Sequence, residues 1–138
     1  MEQEKIRELI RAAFAARENA YCEYSHFAVG AALVAKDGEI YHGCNVENVS
    51  YGATICAERN AFFQAVAKGK RDFKAIAIVG GLSGGDAVAD YAYPCGMCLQ
   101  VMSEFCKDDF LVIVAKSIGD YQSVTLKELL PKGFAGIR

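Results

Sequence analysis

The stretch CAERNAFFQAVAKGKRDFKAIAIVG, residues 56–80, joins two patterns of different period, and the join decides the fold. Over its first half Ala57, Phe62, Ala65 and Val66 recur at helical spacing. Gly69 then stands where a helix takes its C-terminal cap. From Phe73 the apolar residues run almost without interruption, the pattern of a strand buried on both faces. A helix feeding such a strand implies a sheet covered by helices on both sides.

Working outward, the Gly-rich segment at 80–92 predicts a long loop ending at Pro94. CGMCLQVMSEF (95–105) follows as a helix, and FLVIVAK (110–116) as a second buried strand. Thr125 with Glu128 three residues on predicts a capping box for a short helix that stops before Pro131. The tail KGFAGIR carries one large ring, Phe134. Upstream, Ile6, Leu9, Ile10, Ala13 and Phe14 predict an amphipathic helix from Glu4 to about Ala20. AVGAALVAK and EIYHGCN flank Asp37-Gly38, which predicts a hairpin with a type I′ turn. NVENVSYGAT (45–54) reads as a loop. The expected order is helix, hairpin, helix, strand, helix, strand, short helix. That order favours an α/β sandwich whose later strands run parallel, the hairpin adding an antiparallel edge.

A length of 138 residues is that of one domain, expected to span 1–138, and there is no internal repeat. The net charge of −2 and the absence of any basic run exclude the electrostatic footprint of a nucleic-acid binder. The N-terminal sequence MEQEKIRELIRAAF interleaves charges with apolar residues, so it reads as neither a signal peptide nor a membrane span. A cytoplasmic location is expected. In a reducing compartment the 6 cysteines read as thiols, metal ligands or catalytic groups before they read as bridges.

Cys56 and the pair Cys95/Cys98 all fall at predicted helix starts, where unpaired N–H groups and a partial positive charge stabilise thiolates. If the two helices lie side by side, three sulfurs meet. Three protein ligands with an open fourth position are the pattern of catalytic zinc, whereas four closed ligands are structural. Glu58, about 200° around the helix from Cys56, reaches that position only if the metal lies over the helix end. A carboxylate there can carry protons. Arg59 lies nearer the side of Cys56 and can offset the negative charge of three thiolates. Taken singly, Glu58 and Arg59 also read as ordinary first-turn charges. The CxxC also reads as a redox pair, which predicts metal-free protein.

CAE (56–58) followed by PCGMC (94–98) resembles the zinc-dependent nucleoside and nucleobase deaminases. Together with YSHFAVGAAL (24–33), NVEN (45–48), CAER, PCGMCLQV (94–101) and LLPKGF (129–134), the chain is similar to the small cytidine deaminases over nearly its whole length. The resemblance implies a mixed five-stranded sheet in a three-layer α/β/α sandwich, and a homotetramer with sites near subunit interfaces. It implies hydrolysis of cytidine and 2′-deoxycytidine, with zinc on Cys56, Cys95 and Cys98 and Glu58 as the catalytic proton carrier. Arg59 is implied beside the ligands. Phe27, Asn45, Glu47, Ala57 and Phe134 are implied as the nucleoside-binding set, Phe134 reaching a neighbouring subunit's base. Blasticidin-type deaminases share CAE and PCxxC but generally lack NxEN, and a zinc-binding module without turnover is the non-enzymatic alternative. Two positions depart from the family: Leu99, commonly Arg, and Tyr93, commonly small. Cys22, Cys44 and Cys106 read as spare thiols, more often small core residues than ligands.

Overall fold

The computed structural model describes residues 1–85 and 88–136, so residues 86–87 of the expected loop and 137–138 of the tail lie outside the described residues. The elements are α1 (Gln3–Arg17), β1 (Phe27–Ala35), β2 (Ile40–Cys44), a 3₁₀ turn (Tyr51–Ala53), α2 (Ala57–Ala67), β3 (Phe73–Leu82), α3 (Gly96–Phe105), β4 (Leu111–Ala115), β5 (Tyr121–Thr125) and α4 (Leu126–Leu129). The five strands form one sheet in the order β2-β1-β3-β4-β5.

Alternation along the strands builds the two faces. Ala32 and Val34 of β1, Ala75, Ala77 and Val79 of β3, and Ile113 and Ala115 of β4 meet Ile6, Leu9, Ile10 and Ala13 of α1. The intervening Ala31, Leu33, Ile76, Ile78, Val112 and Val114 face α2, α3 and α4 through Phe62, Ala65, Leu99, Met102 and Leu126. This is the expected three-layer sandwich. Its layers sit close because small residues line the contacts: a methyl added at Gly30 would lie 2.0 Å from the carbonyl oxygen of Ala13 on α1.

Strand directions differ in part from those expected. β3 and β4 are parallel, as the crossover through α3 requires, and β2 and β1 are antiparallel. β5, which the apolar pattern does not reveal, is antiparallel to β4. Its five residues are half-buried or exposed, so an edge strand of this kind lacks the continuous apolar run that marked β3. The hairpin turn also differs. Gly38 has φ +94° but Asp37 does not have positive φ, and the Gly38 N–H donates to the Ala35 carbonyl. Ala35 N–H in turn pairs with the Glu39 carbonyl across three loop residues. This is a type I turn with a left-handed glycine, not a type I′ turn, because only Gly38 tolerates positive φ freely.

The helix ends follow the sequence at α2 and α4, whereas α1 stops at Arg17, short of the expected Ala20. The Lys70 N–H bonds the Ala65 carbonyl and the Gly69 N–H that of Val66, with Gly69 at φ +86°: a Schellman motif ends α2. The Thr125/Glu128 capping box starts α4.

Register then gathers one end of the sheet. Phe27 at the start of β1 pairs with Leu82 at the end of β3, and Gly30 with Cys44 at the end of β2. Arg17 fastens that end: its guanidinium donates to the carbonyls of Ala28, Gly81 and Leu82 at 2.8–3.0 Å and to Gly85 at 3.4 Å.

Candidate active site and metal centre

Cys56 is the N-cap of α2 and Cys95 the N-cap of α3, with Cys98 in the first turn of α3. Neither cap makes the usual side-chain bond to its helix, so both sulfurs point elsewhere. They converge: Cys56 and Cys95 sulfurs are 3.8 Å apart, Cys95 and Cys98 3.6 Å, and all three lie within 4.8 Å of one another. Tetrahedral zinc with bonds of about 2.3 Å to sulfur has edges of about 3.8 Å, so the three donors fit the metal and leave one corner open. All six cysteines are free thiols.

The surrounding charges match that use. Hydrogen bonds from Cys98 and Arg59 lower Cys56 to about 5, against the desolvation that opposes its ionisation. Cys98, donating to that sulfur, is raised. The Arg59 guanidinium donates to Cys56 Sγ at 3.2 Å, while its buried Nε has no partner. Glu58 is 5% exposed, and burial pushes its carboxyl up to about 7. Placing Cys56 at the cap puts Glu58 over the helix end beside the sulfurs, as the 200° offset demanded.

Asn45 and Glu47, two residues apart on an extended segment, both turn toward the approach to β1. Asn45 is buried, accepting from the Val29 N–H at 2.9 Å and donating to the Phe27 carbonyl at 2.8 Å. The Glu47 carboxylate accepts from the N–H groups of Tyr24 and Ser25, both at 3.0 Å, and from the Ser25 hydroxyl. These bonds, the Ser25 hydroxyl first, hold it below the usual carboxylate range. A cavity of about 390 Å³ opens beside it, lined by Tyr24, Ser25, Glu47, Asn48, Tyr51 and Thr54. Phe27 is 41% exposed, its ring resting where Gly80 has no side chain. Ala57, in the first turn of α2, is fully buried. Phe134 is 70% exposed, and its carbonyl accepts from Gln100 of α3. A larger groove, about 680 Å³, lies at the far end of the sheet among Met1, Lys36, Asp72 and Phe110 and contains none of the predicted site residues.

At the two departures, Leu99 packs into the core and the Tyr93 hydroxyl donates to Gln122 of β5. The neighbouring Tyr91 hydroxyl does the same to Asp120, so two tyrosines tie the segment before Cys95 to the sheet edge. Sequence reasoning missed this tie because β5 itself was missed. It also missed Ser25, whose spacing two residues before Phe27 is that of a local Ser turn. Cys44 and Cys106 are raised by burial, in keeping with spare core thiols.

A family model described as the cytidine and deoxycytidylate deaminase zinc-binding region matches residues 3–114. The cytidine deaminase of Sporosarcina psychrophila is 48% identical over 130 residues, covering 94% of this chain and 91% of its own. That of Halalkalibacterium halodurans is 49% identical over 129 residues, 91% of each chain. The crystal structure of cytidine deaminase from Burkholderia pseudomallei aligns with a TM-score of 0.83 at 49% identity, over 92% of this chain and 97% of that one. Likeness of this extent, spanning both helices that carry the three thiols, means that the chain belongs to the cytidine and deoxycytidylate deaminase family and that its metal is zinc.

Proposed function

We propose that the protein is a cytidine deaminase of pyrimidine salvage, hydrolysing cytidine and 2′-deoxycytidine to uridine and 2′-deoxyuridine with release of ammonia. The observation that carries this reading is the buried Glu58 carboxyl beside three convergent thiols at two helix starts.

In this reading Cys56, Cys95 and Cys98 hold zinc, and Arg59, donating to Cys56, offsets part of the thiolate charge. Zinc when bound supplies a Lewis acid that brings the ionisation of water near neutral pH. Glu58 takes a proton from the attacking water and passes it to N3 of the base, then takes the proton of the new C4 hydroxyl and passes it to the amino group, which leaves as ammonia. A carboxyl near 7 both accepts and donates at neutral pH, which favours that relay. Phe27 lies against the pyrimidine, Ala57 lines the base pocket, and Asn45 and Glu47 take the sugar. The cavity beside Glu47 is lined by no Lys or Arg, which favours a nucleoside over a nucleotide phosphate.

The protein acts as a single domain in a cytoplasmic homotetramer, in which Phe134 reaches a neighbour's base. The exposure of that ring and the six free thiols support this arrangement, and no helix among the described residues is long and apolar enough to cross a membrane. The test is ammonia release from a nucleoside panel with zinc measured on the same sample. Glu58→Gln is expected to keep its zinc and lose activity by at least about 10² to 10⁴-fold. Zinc-loaded protein that releases no ammonia from either nucleoside refutes the proposal.

A further inference from the structure

The Glu47 carboxylate is more fully engaged than a ligand-binding group at a pocket wall needs to be. Its Oε1 accepts from two backbone donors, Tyr24 N–H and Ser25 N–H, and so has no lone pair left. Its Oε2 accepts from the Ser25 hydroxyl alone and keeps one. The chain that supplies these donors is itself held. The His26 N–H bonds the Cys22 carbonyl at 2.8 Å, the His26 carbonyl accepts from the Ser83 N–H at 2.7 Å, and His26 sits at φ +60°. Tyr24 and Ser25 aim successive N–H groups at one carboxylate oxygen, and the left-handed His26 turns the chain directly after them. The Ser25 hydroxyl also accepts from the Phe27 N–H at 3.0 Å. One small side chain therefore links the residue proposed to meet the sugar with the residue proposed to meet the base.

We infer that Ser25 is a positioning residue for nucleoside specificity: it holds Glu47 so that a single remaining lone pair faces the cavity and accepts from one hydroxyl of the sugar ring. This rests on the proposal that Glu47 meets the sugar. Without the Ser25 hydroxyl, Oε2 loses its anchor and the carboxylate, held only at Oε1 by two N–H groups, can pivot about that oxygen. The ordering then falls on substrate binding, and only substrates with the matching hydroxyl feel it. A nucleoside lacking both ring hydroxyls loses only what the Ser25–Phe27 bond contributes, a small effect that all three substrates share.

The experiment compares Ser25→Ala, Ser25→Thr and Glu47→Ala on the zinc-loaded protein with cytidine, 2′-deoxycytidine and 2′,3′-dideoxycytidine. For Ser25→Ala the expectation is a roughly 10-fold rise in KM for cytidine, kcat within about twofold, and a change under about twofold for the dideoxynucleoside, the scale of one hydrogen bond to a charged acceptor. Ser25→Thr, which keeps the hydroxyl, restores wild-type KM. Whichever class 2′-deoxycytidine joins identifies the hydroxyl read. An equal effect of Ser25→Ala on all three nucleosides, or none, overturns the inference if Glu47→Ala still selectively weakens cytidine. If Glu47→Ala is itself unselective between cytidine and the dideoxynucleoside, it is the assignment of Glu47 to the sugar that fails, and the inference with it.

Discussion

Gly43 in β2 is where the catalytic helix touches the sheet, and adding one methyl there tests whether that contact sets the site. A Cβ at Gly43 would lie 2.3 Å from the Ala57 carbonyl oxygen, 2.6 Å from the Ala61 nitrogen and 3.0 Å from the Ala61 Cβ. Two of the three are backbone atoms of α2, so no rotamer relieves the clash. Ordinary contact begins at 3.4 Å, so the first turn of α2 and β2 must part by about 1.1 Å. β2 is an edge strand paired only with β1 and yields part of that distance. If half falls on α2, Cys56, Glu58 and Arg59 move together by about 0.5 Å, against a tolerance in which 1 Å costs about 10²-fold in rate. Gly43→Ala is therefore expected to lower kcat/KM by roughly 10-fold and stability by about 1–3 kcal/mol, a melting point lower by on the order of 5 °C. Steady-state kinetics, zinc content and thermal melting measure these. Gly119→Ala is the control, since no atom lies within 4 Å of its Cβ position. A Gly43→Ala protein with wild-type rate, zinc and melting point refutes the claim that this contact places the helix end.

Two further predictions concern the metal-free protein. With Cys56 lowered to about 5, its thiolate persists at pH 6, where an ordinary thiol, near 9.0, is only about one part in a thousand ionised. Iodoacetamide at pH 6 is expected to label Cys56 ahead of Cys106, whose thiol burial pushes up to about 12, and saturating zinc to suppress labelling of Cys56; peptide mapping that finds Cys106 labelled first contradicts the assignment. Burial pushes Glu58 up to about 7 in the folded chain against 4.5 for an ordinary glutamate, so the folded state binds the proton more tightly. Its contribution to stability is complete below pH 4.5 and is lost as pH rises through 7. Relative to wild type, metal-free Glu58→Gln should gain stability over that window, by about 3 kcal/mol at most, in denaturant melts at several pH values. A gap between the two proteins that does not change with pH counts against burial as the cause.

Local physics made much of the molecule legible. The two-sided apolar run of β3, the Gly69 cap and the Thr125 box depend on residues close in the chain, and each is found where its pattern stood. β5 was not legible, because a short edge strand draws its definition from the neighbour it pairs with and not from its own apolar period. The Asp37-Gly38 turn misled for a related reason. Two- and three-residue hairpin loops share their turn residues, and the register of β1 on β2 chooses between them.

The sequence by itself determined the donor set of the site. Cysteines at helix starts, with a carboxylate two residues after one of them, carry their chemistry in residue type and spacing, and the motifs spread along the chain name the family. Only the tertiary structure decided how those groups meet. The sheet register brings Phe27, Asn45 and the caps of α2 and α3 to one end, and a gap in the side chains at Gly43 lets α2 close on β2. Burial, not identity, raises Glu58 to about 7, because desolvation depends on what packs over a carboxyl. The hold of Ser25 on Glu47 joins residues 22 apart through a turn at His26, a distance that no local pattern spans.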